Sequence, residues 1–213
     1  MLALIMAGGR GTRLQMGEKG LVRLCDRPLI EYVLTALEEA GLEPIVVTTP
    51  KTPYTANFCR ARGIEQICTE GAGYIEDVTE VVTIIGEEKP VLIVCADIPG
   101  IRVEHLTYIL SLYESGSADA CSVWVPARYI SQRGGEVRYS QDIEGVRAVP
   151  AGLNIIHGSK IPAQQTEIPI LIDDPALAFN INTPSELETA ESFFLSQKSQ
   201  PDPVPSGSRI SGT

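Results

Sequence analysis

The first apolar run, Leu2–Met6, is short and unbroken, the pattern of a strand buried on both faces. After a glycine-rich stretch, Asp26-Arg27-Pro28 offers a helix cap and a first-turn proline. Ile30, Val33, Leu34 and Leu37 then fall at helical spacing, and Gly41 supplies the stop. Pro44–Thr49 reads as a second buried strand, Thr55–Arg62 as a helix and Ile64–Cys68 as a third strand. Within Ile75–Ile85, Val78, Val81, Val82 and Ile85 share one helical face, with Glu76, Asp77 and Glu80 on the other. Val91–Cys95 is another bare apolar strand that ends at Ala96-Asp97, and Val103–Tyr113 returns to helical spacing through Leu106, Ile109 and Leu110.

Strand and helix thus alternate from residue 2 to about residue 125, which predicts an α/β layer fold with a mostly parallel sheet. Then the rhythm changes. Ala118–Val125, Gly145–Val149 and Gly152–His157 read as strands separated by polar loops without crossover helices. Such a segment is an antiparallel excursion or a sheet extension that carries a second substrate. The helical pattern resumes at Pro184–Phe194, and from Gln197 the chain is low-complexity. The expected organisation is one domain over residues 1–196 and a disordered tail over 197–213.

Composition narrows the function classes. The chain has 213 residues, 44% of them hydrophobic, enough for one full core. Its formal charge is −10, from 17 Lys+Arg against 27 Asp+Glu. A nucleic-acid partner needs a basic footprint, so none is expected, and any phosphate must be gripped by a few focused cations. No apolar run reaches the roughly 18–20 residues of a membrane span. The apolar start lacks the basic flank of a signal peptide. Cys25, Cys59, Cys68, Cys95 and Cys121 are scattered without a C-x-x-C pair, and Cys95 and Cys121 lie in apolar runs. That usage reads as reduced thiols in a cytoplasmic protein. His105 and His157 are far apart in sequence and read as structural or surface residues.

The chemistry concentrates in Ala7-Gly8-Gly9-Arg10-Gly11-Thr12-Arg13, directly after the first strand. A glycine-rich loop at the C-terminal end of a first parallel strand lets backbone N–H groups approach phosphate without Cβ obstruction. The spacing is neither G-x-G-x-x-G nor G-x-x-x-x-G-K-[ST], which excludes the dinucleotide fingerprint and the Walker loop. Arg10 and Arg13 inside the loop and Lys19 shortly after it suit a triphosphate whose pyrophosphate leaves.

This loop, with Lys19 and Arg27-Pro28-Leu29-Ile30, resembles the nucleotidyltransferases that include the molybdenum cofactor guanylyltransferases and the sugar-phosphate nucleotidylyltransferases. Gly71-Ala72-Gly73-Tyr74-Ile75-Glu76-Asp77, Val149-Pro150-Ala151-Gly152-Leu153-Asn154 and Phe179-Asn180-Ile181-Asn182-Thr183 resemble, more narrowly, the archaeal adenosylcobinamide-phosphate guanylyltransferases. The resemblance implies a three-layer Rossmann-like nucleotidyltransferase fold and transfer of GMP from GTP to a corrinoid phosphate. It also implies a nucleotide site drawn from Ala7, Gly8, Gly9, Gly11, Thr12, Gly73, Asp77, Asp97, Gly152, Asn154 and Asn182, with Arg10, Arg13 and Lys19 catalytic. Here the loop continues Lys19-Gly20-Leu21 where many members have Lys-Pro-Leu.

Relatives commonly hold Mg²⁺ with a strand-end Asp and a late carboxylate. Asp97 suits the first role, but the late position falls on Asn180 or Asn182, with Asp173 and Asp174 in reserve. Asp77 or Glu76 could accept from guanine or ribose, or could complement a helix dipole. Trp124, Tyr129 and Tyr139 are candidates for the surface under a corrinoid ring. A homodimer is compatible with such a fold. Two other readings share the same loop: a sister enzyme making a molybdopterin dinucleotide or an NDP-sugar, and a GTP-binding module without catalysis.

Overall fold

The computed structural model describes residues 1–9, 11, 14 and 16–198; Arg10, Thr12, Arg13 and Gln15 lie outside the described residues, as does the expected tail from residue 199 onward. The strands are β1 (Leu2–Met6), β2 (Arg23–Leu24), β3 (Arg27–Pro28), β4 (Glu43–Thr48), β5 (Gln66–Cys68), β6 (Pro90–Cys95), β7 (Ala120–Pro126), β8 (Gln141–Ile143), β9 (Val146–His157) and β10 (Glu167–Leu171). The helices are α1 (Leu29–Glu39), α2 (Pro53–Arg62), α3 (Tyr74–Ile85), α4 (Val103–Ser115), the short α5 (Arg128–Ser131) and α6 (Pro184–Lys198).

The main sheet has the order β10-β7-β9-β6-β1-β4-β5, with β8 added on β9, and β2 and β3 form a separate hairpin. Pairing is parallel at β1/β4, β1/β6, β4/β5 and β7/β10. Only β9 runs against its neighbours. Alternation along the strands sorts the core into two faces. Ala3, Ile5, Val46, Leu92 and Val94 pack with α1 and α4, while Leu4, Ile45, Val47, Val91 and Ile93 pack with Val78, Val81 and Val82 of α3. These are the three layers that the resemblance implies. The chain leaves β1 for β4 on one side and returns to β6 on the other, so the sheet's switch point lies between β1 and β6. In open α/β sheets the crevice beyond such carboxyl ends is where ligands bind.

Two sequence expectations are corrected. Gly145–Val149 and Gly152–His157 are not two strands but parts of the single strand β9. Gly152 holds φ +82° inside it, and the β7/β9 register slips between Ser122 and Trp124. A glycine in the left-handed region lets the strand bulge without ending. Asp26 does not cap α1, because Cys25 and Asp26 both take positive φ (47° and 63°) as the tight turn of the β2–β3 hairpin. The helix starts after Pro28 instead. Strand β10, Glu167-Ile168-Pro169-Ile170-Leu171, adds to the sequence reading; its proline sits at the sheet edge, where it leaves no ladder bond unmade within the sheet.

Candidate active site

Beyond the carboxyl ends of β1 and β6 lies a cavity of about 320 Å³. Its walls are Ala7, Gly8 and Gly9 from the first loop, Cys95–Asp97 from the end of β6, Gly71, Gly73, Tyr74 and Asp77 around the start of α3, and Lys19 and Lys51. Two glycines are there for space. A Cβ on Gly8 would come within 2.5 Å of the Thr49 methyl, whereas one on Gly9 meets nothing within 4 Å among the described residues, so the backbone at Gly9 borders the cavity without crowding.

Lys19 is the centre of the polar arrangement. Its ammonium pairs with Asp97 Oδ2 and donates to Asn182 Oδ1 at 2.7 Å and Asn180 Oδ1 at 3.1 Å. Asp97 is 6% exposed at the end of β6, and its Oδ1 is buried without a hydrogen-bond partner among the described residues. The two asparagines flank Ile181, which is buried with Leu14, Val22 and Leu24, and the Asn182 side-chain amide N–H donates to both the carbonyl and the Oδ1 of Asn180, which holds the two side chains together. Just after them, Thr183 accepts from the Glu186 backbone N–H and Glu186 in turn accepts from the Asn182 backbone N–H. This Thr-Pro-Ser-Glu start of α6 is a capping arrangement, and it anchors the asparagine segment.

Sequence reasoning did not single out Tyr74, Lys51 or Glu18 as site residues. Burial pushes the Tyr74 phenol well above its ordinary range, assisted by Cys95 and Asp97 and opposed by a hydrogen bond to the Asn154 side chain. Burial, with the Asp97 charge beside it, pushes the Cys95 thiol up to about 12. Both groups are therefore neutral at neutral pH. Lys51 donates to the Gly71 carbonyl and so clasps the turn before α3. The buried carboxylate of Glu18 accepts from the first turn of α2, although it stands beside Lys19.

The other anticipated residues divide. Ala7, Gly8, Gly9, Gly73, Asp77, Lys19 and Asp97 all line the cavity, and Asn182 meets the same lysine. Asp77 Oδ1 accepts the Gly71 N–H at 2.9 Å, so one carboxylate oxygen shapes the turn. Gly11 packs beneath the site, where a Cβ would lie 3.1 Å from Lys19 Cβ. Gly152 and Asn154 do not line the cavity. The bulge glycine backs onto Cys95, with an ideal Cβ 3.2 Å from its sulfur, and Asn154 lines a separate groove of about 900 Å³ beside α3. Arg10, Thr12 and Arg13 lie outside the described residues.

Asp173 and Asp174, the carboxylates held in reserve, both have partners other than Lys19. Asp173 pairs with Arg128 and Tyr129. Asp174 accepts from His105 Nε2 at 2.9 Å and pairs with Arg102. The His105 bond, backbone N–H of Ala176 and nearby Arg102 hold the Asp174 carboxyl down at about 2, against the desolvation that opposes them. Trp124 is core, 6% exposed, with its indole N–H on Ser122 Oγ at 2.7 Å and its ring 6.0 Å from that of Tyr139.

A second cavity, about 510 Å³, opens on the other side of the asparagines, with Arg133, Arg138, Tyr139 and Pro150 in its wall. Asn180 and Asn182 line it as well, so Lys19 sits between two spaces. Among the described residues no three His, Cys, Asp or Glu side chains gather as a metal cage. The orphaned Asp97 Oδ1 is nevertheless a hard donor that fits Mg²⁺, which takes few protein ligands and completes its shell with phosphate oxygens and water; the Asn180 and Asn182 amide oxygens already accept from Lys19.

Comparison with known proteins agrees with this architecture. Residues 3–169 match the MobA-like NTP transferase domain. Adenosylcobinamide-phosphate guanylyltransferase of Methanocaldococcus jannaschii is 35% identical over 202 residues, covering 90% of this chain and 96% of that protein. Molybdenum cofactor guanylyltransferase of Shewanella sediminis is 28% identical over 119 residues, covering 55% of this chain and 59% of that one. Among solved structures, molybdopterin-guanine dinucleotide biosynthesis protein A from Archaeoglobus fulgidus superposes with a TM-score of 0.65 at 19% identity, covering 92% of this chain and 100% of that chain. With the glycine loop, the strand-end aspartate and the lysine all in one cleft, the chain belongs to the MobA-like NTP transferases and, within them, to the adenosylcobinamide-phosphate guanylyltransferase family.

Proposed function

We propose that the protein transfers GMP from GTP to adenosylcobinamide phosphate, giving adenosylcobinamide-GDP and pyrophosphate. The observation that carries this reading is Lys19, held by Asp97, Asn180 and Asn182 between a glycine-walled cavity and a second, larger one. The smaller cavity takes the nucleotide and the larger takes the acceptor.

The acceptor's phosphate has a second pKa near 6, so at neutral pH it arrives as an anionic nucleophile. Its oxygen attacks the α-phosphorus in line. The bond between that phosphorus and the α–β bridging oxygen breaks, and the electron pair leaves with pyrophosphate. No general base is needed, and the neutral Cys95 and Tyr74 in the wall do not compete as nucleophiles. Catalysis is then positioning and charge stabilisation. Lys19 stands where both reacting phosphates meet, and the backbone at Gly8 and Gly9 faces the triphosphate. Arg10 and Arg13 are assigned to the β- and γ-phosphates by their residue type and place in the chain. Asp77 and Gly73 border the base and ribose. Asp97, through the Oδ1 that accepts no hydrogen bond among the described residues, would hold Mg²⁺, which when bound offsets charge on the triphosphate. We place the enzyme in the cytoplasm, a compartment that suits its free thiols. Among the described residues no helix is long and apolar enough to cross a membrane.

The test is pyrophosphate release with GTP and adenosylcobinamide phosphate, with ATP and a molybdopterin acceptor as controls and EDTA in a parallel arm. Release that requires both GTP and the corrinoid supports the reading, and suppression by EDTA supports the metal. Release with the molybdopterin acceptor alone moves the protein to the sister activity.

A further inference from the structure

We infer that Glu18 is a positioning residue for Lys19, a role that rests on the guanylyl-transfer reading above. Glu18 directly precedes the lysine and is only 8% exposed, yet no cation pairs with it among the described residues. Its Oε1 accepts the Tyr54 backbone N–H at 2.8 Å, and its Oε2 accepts both the backbone N–H and the hydroxyl of Thr55 at 2.6 Å. Tyr54 and Thr55 belong to the first turn of α2, which has no acid of its own and no side-chain cap from Thr52. Those N–H groups are the orphan donors of a helix start, and the helix dipole favours a carboxylate there.

The consequence lies with the neighbour. A buried carboxylate left without donors would compete for the nearest ammonium. Here three donors from α2 satisfy Glu18, and the Lys19 ammonium is left to Asp97, Asn180 and Asn182. The backbone is fixed by a separate bond, in which the Glu18 carbonyl accepts from Leu21 N at 2.9 Å and closes the turn that carries Lys19. On the other side, Gly11 packs against Lys19 so closely that its missing Cβ would lie 3.1 Å away. Glu18 touches neither cavity; it acts only through the lysine it aims.

The experiment is a double-mutant cycle with a spectroscopic arm. Glu18→Gln sets an amide NH₂ against helix N–H donors, and Thr55→Val removes only the hydroxyl bond, which covers the case where the first variant folds poorly. In the Lys19 background, Glu18→Gln is expected to lower kcat/KM for GMP transfer about tenfold to fiftyfold, mainly in kcat. In the Lys19→Ala background it should cost less than about twofold, because its route of action is gone. Thr55→Val should follow with the same sign and a smaller size. In protein with ¹⁵N-labelled lysine, the Lys19 ammonium resonance, assigned by its loss in Lys19→Arg, should lose its exchange protection in both variants. Equal losses in the two backgrounds, or an unchanged Lys19 resonance, would overturn the role. If the wild type transfers no GMP, the guanylyltransferase reading falls, and the resonance alone decides Glu18.

Discussion

The two halves of the sheet hold their functional groups by different means. Around β1, β4 and β6 the site is made of strand ends and backbone: Gly8, Gly9 and Asp97 stand where buried strands terminate, between helices on both faces. Around β7, β9 and β10 the contribution is the segment leading to Asn180 and Asn182, which side-chain pairs pin in place. Asp173 pairs with Arg128, and Asp174 with Arg102 and His105. Arg133 stacks on Phe179 with its guanidinium carbon 3.6 Å from the ring centroid, and donates to the Pro175 carbonyl at 2.8 Å. The first half is rigid because its strands cannot shift without opening the core. The second is placed by contacts that single substitutions or acid can remove. One half supplies the glycine-walled cavity, and the other brings the two amides that meet Lys19.

The largest effect should come from the residue where the halves meet. Lys19→Ala is expected to lower kcat/KM for pyrophosphate release by about 10²–10³-fold, the usual loss for one preorganised donor. Its thermal midpoint should fall as well, because the buried Asp97 carboxylate then loses the cation that pairs with it. A loss confined to KM would mean that Lys19 binds nucleotide without stabilising the transition state.

Gly100→Ala should break the docking of the second half on the first. A Cβ there would lie 2.0 Å from the Ala176 carbonyl oxygen, a backbone atom that cannot swing away. Overpacking of this kind costs about 1–3 kcal/mol. Denaturant unfolding should show that loss, together with at least tenfold weaker activity as Asn180 and Asn182 move off Lys19. Normal stability and activity would mean that the segment accommodates the methyl.

Acid should separate the halves more gently. The Asp174 carboxyl is held at about 2 in the folded protein against an ordinary 3.8. A depressed folded value means that its contribution, roughly 2 kcal/mol at most, is complete above pH 4 and fades as pH falls towards 2. Asp174→Asn should therefore destabilise the protein at pH 6 and match the wild type near pH 2. A gap that persists unchanged in acid would assign the effect to packing.

Asp173→Asn should do least, because its pair with Arg128 is exposed and screened. We expect no measurable change in the denaturation midpoint. A clear loss there would show that the outer pair shares the work of the inner one.

What was legible before the structure was local. The glycine loop, the strand-end Asp97 and the helical faces of α1, α3 and α4 each lie within a few neighbouring residues, and periodicity or spacing exposes them. His105 also read correctly as structural: its Nδ1 accepts the Arg102 backbone N–H at 3.2 Å, and its Nε2 serves Asp174. The bulge in β9 was less legible, because a glycine between two apolar runs looks the same whether the strand breaks or merely bends.

By itself, then, the sequence determined the alternation of buried strands with amphipathic helices, and with it the α/β class. It also marked the glycine loop and the cations near it, because those signals are carried by adjacent residues. Only the tertiary structure decided the partners of those cations. Lys19 meets Asn180 and Asn182 from 161 and 163 residues away, and Glu18 caps a helix 36 and 37 residues downstream. No local pattern encodes such pairs. They follow from sheet order, which brings the ends of β1 and β6 beside the start of α6, and from the rule that a buried polar group must find its hydrogen bonds wherever the fold offers them.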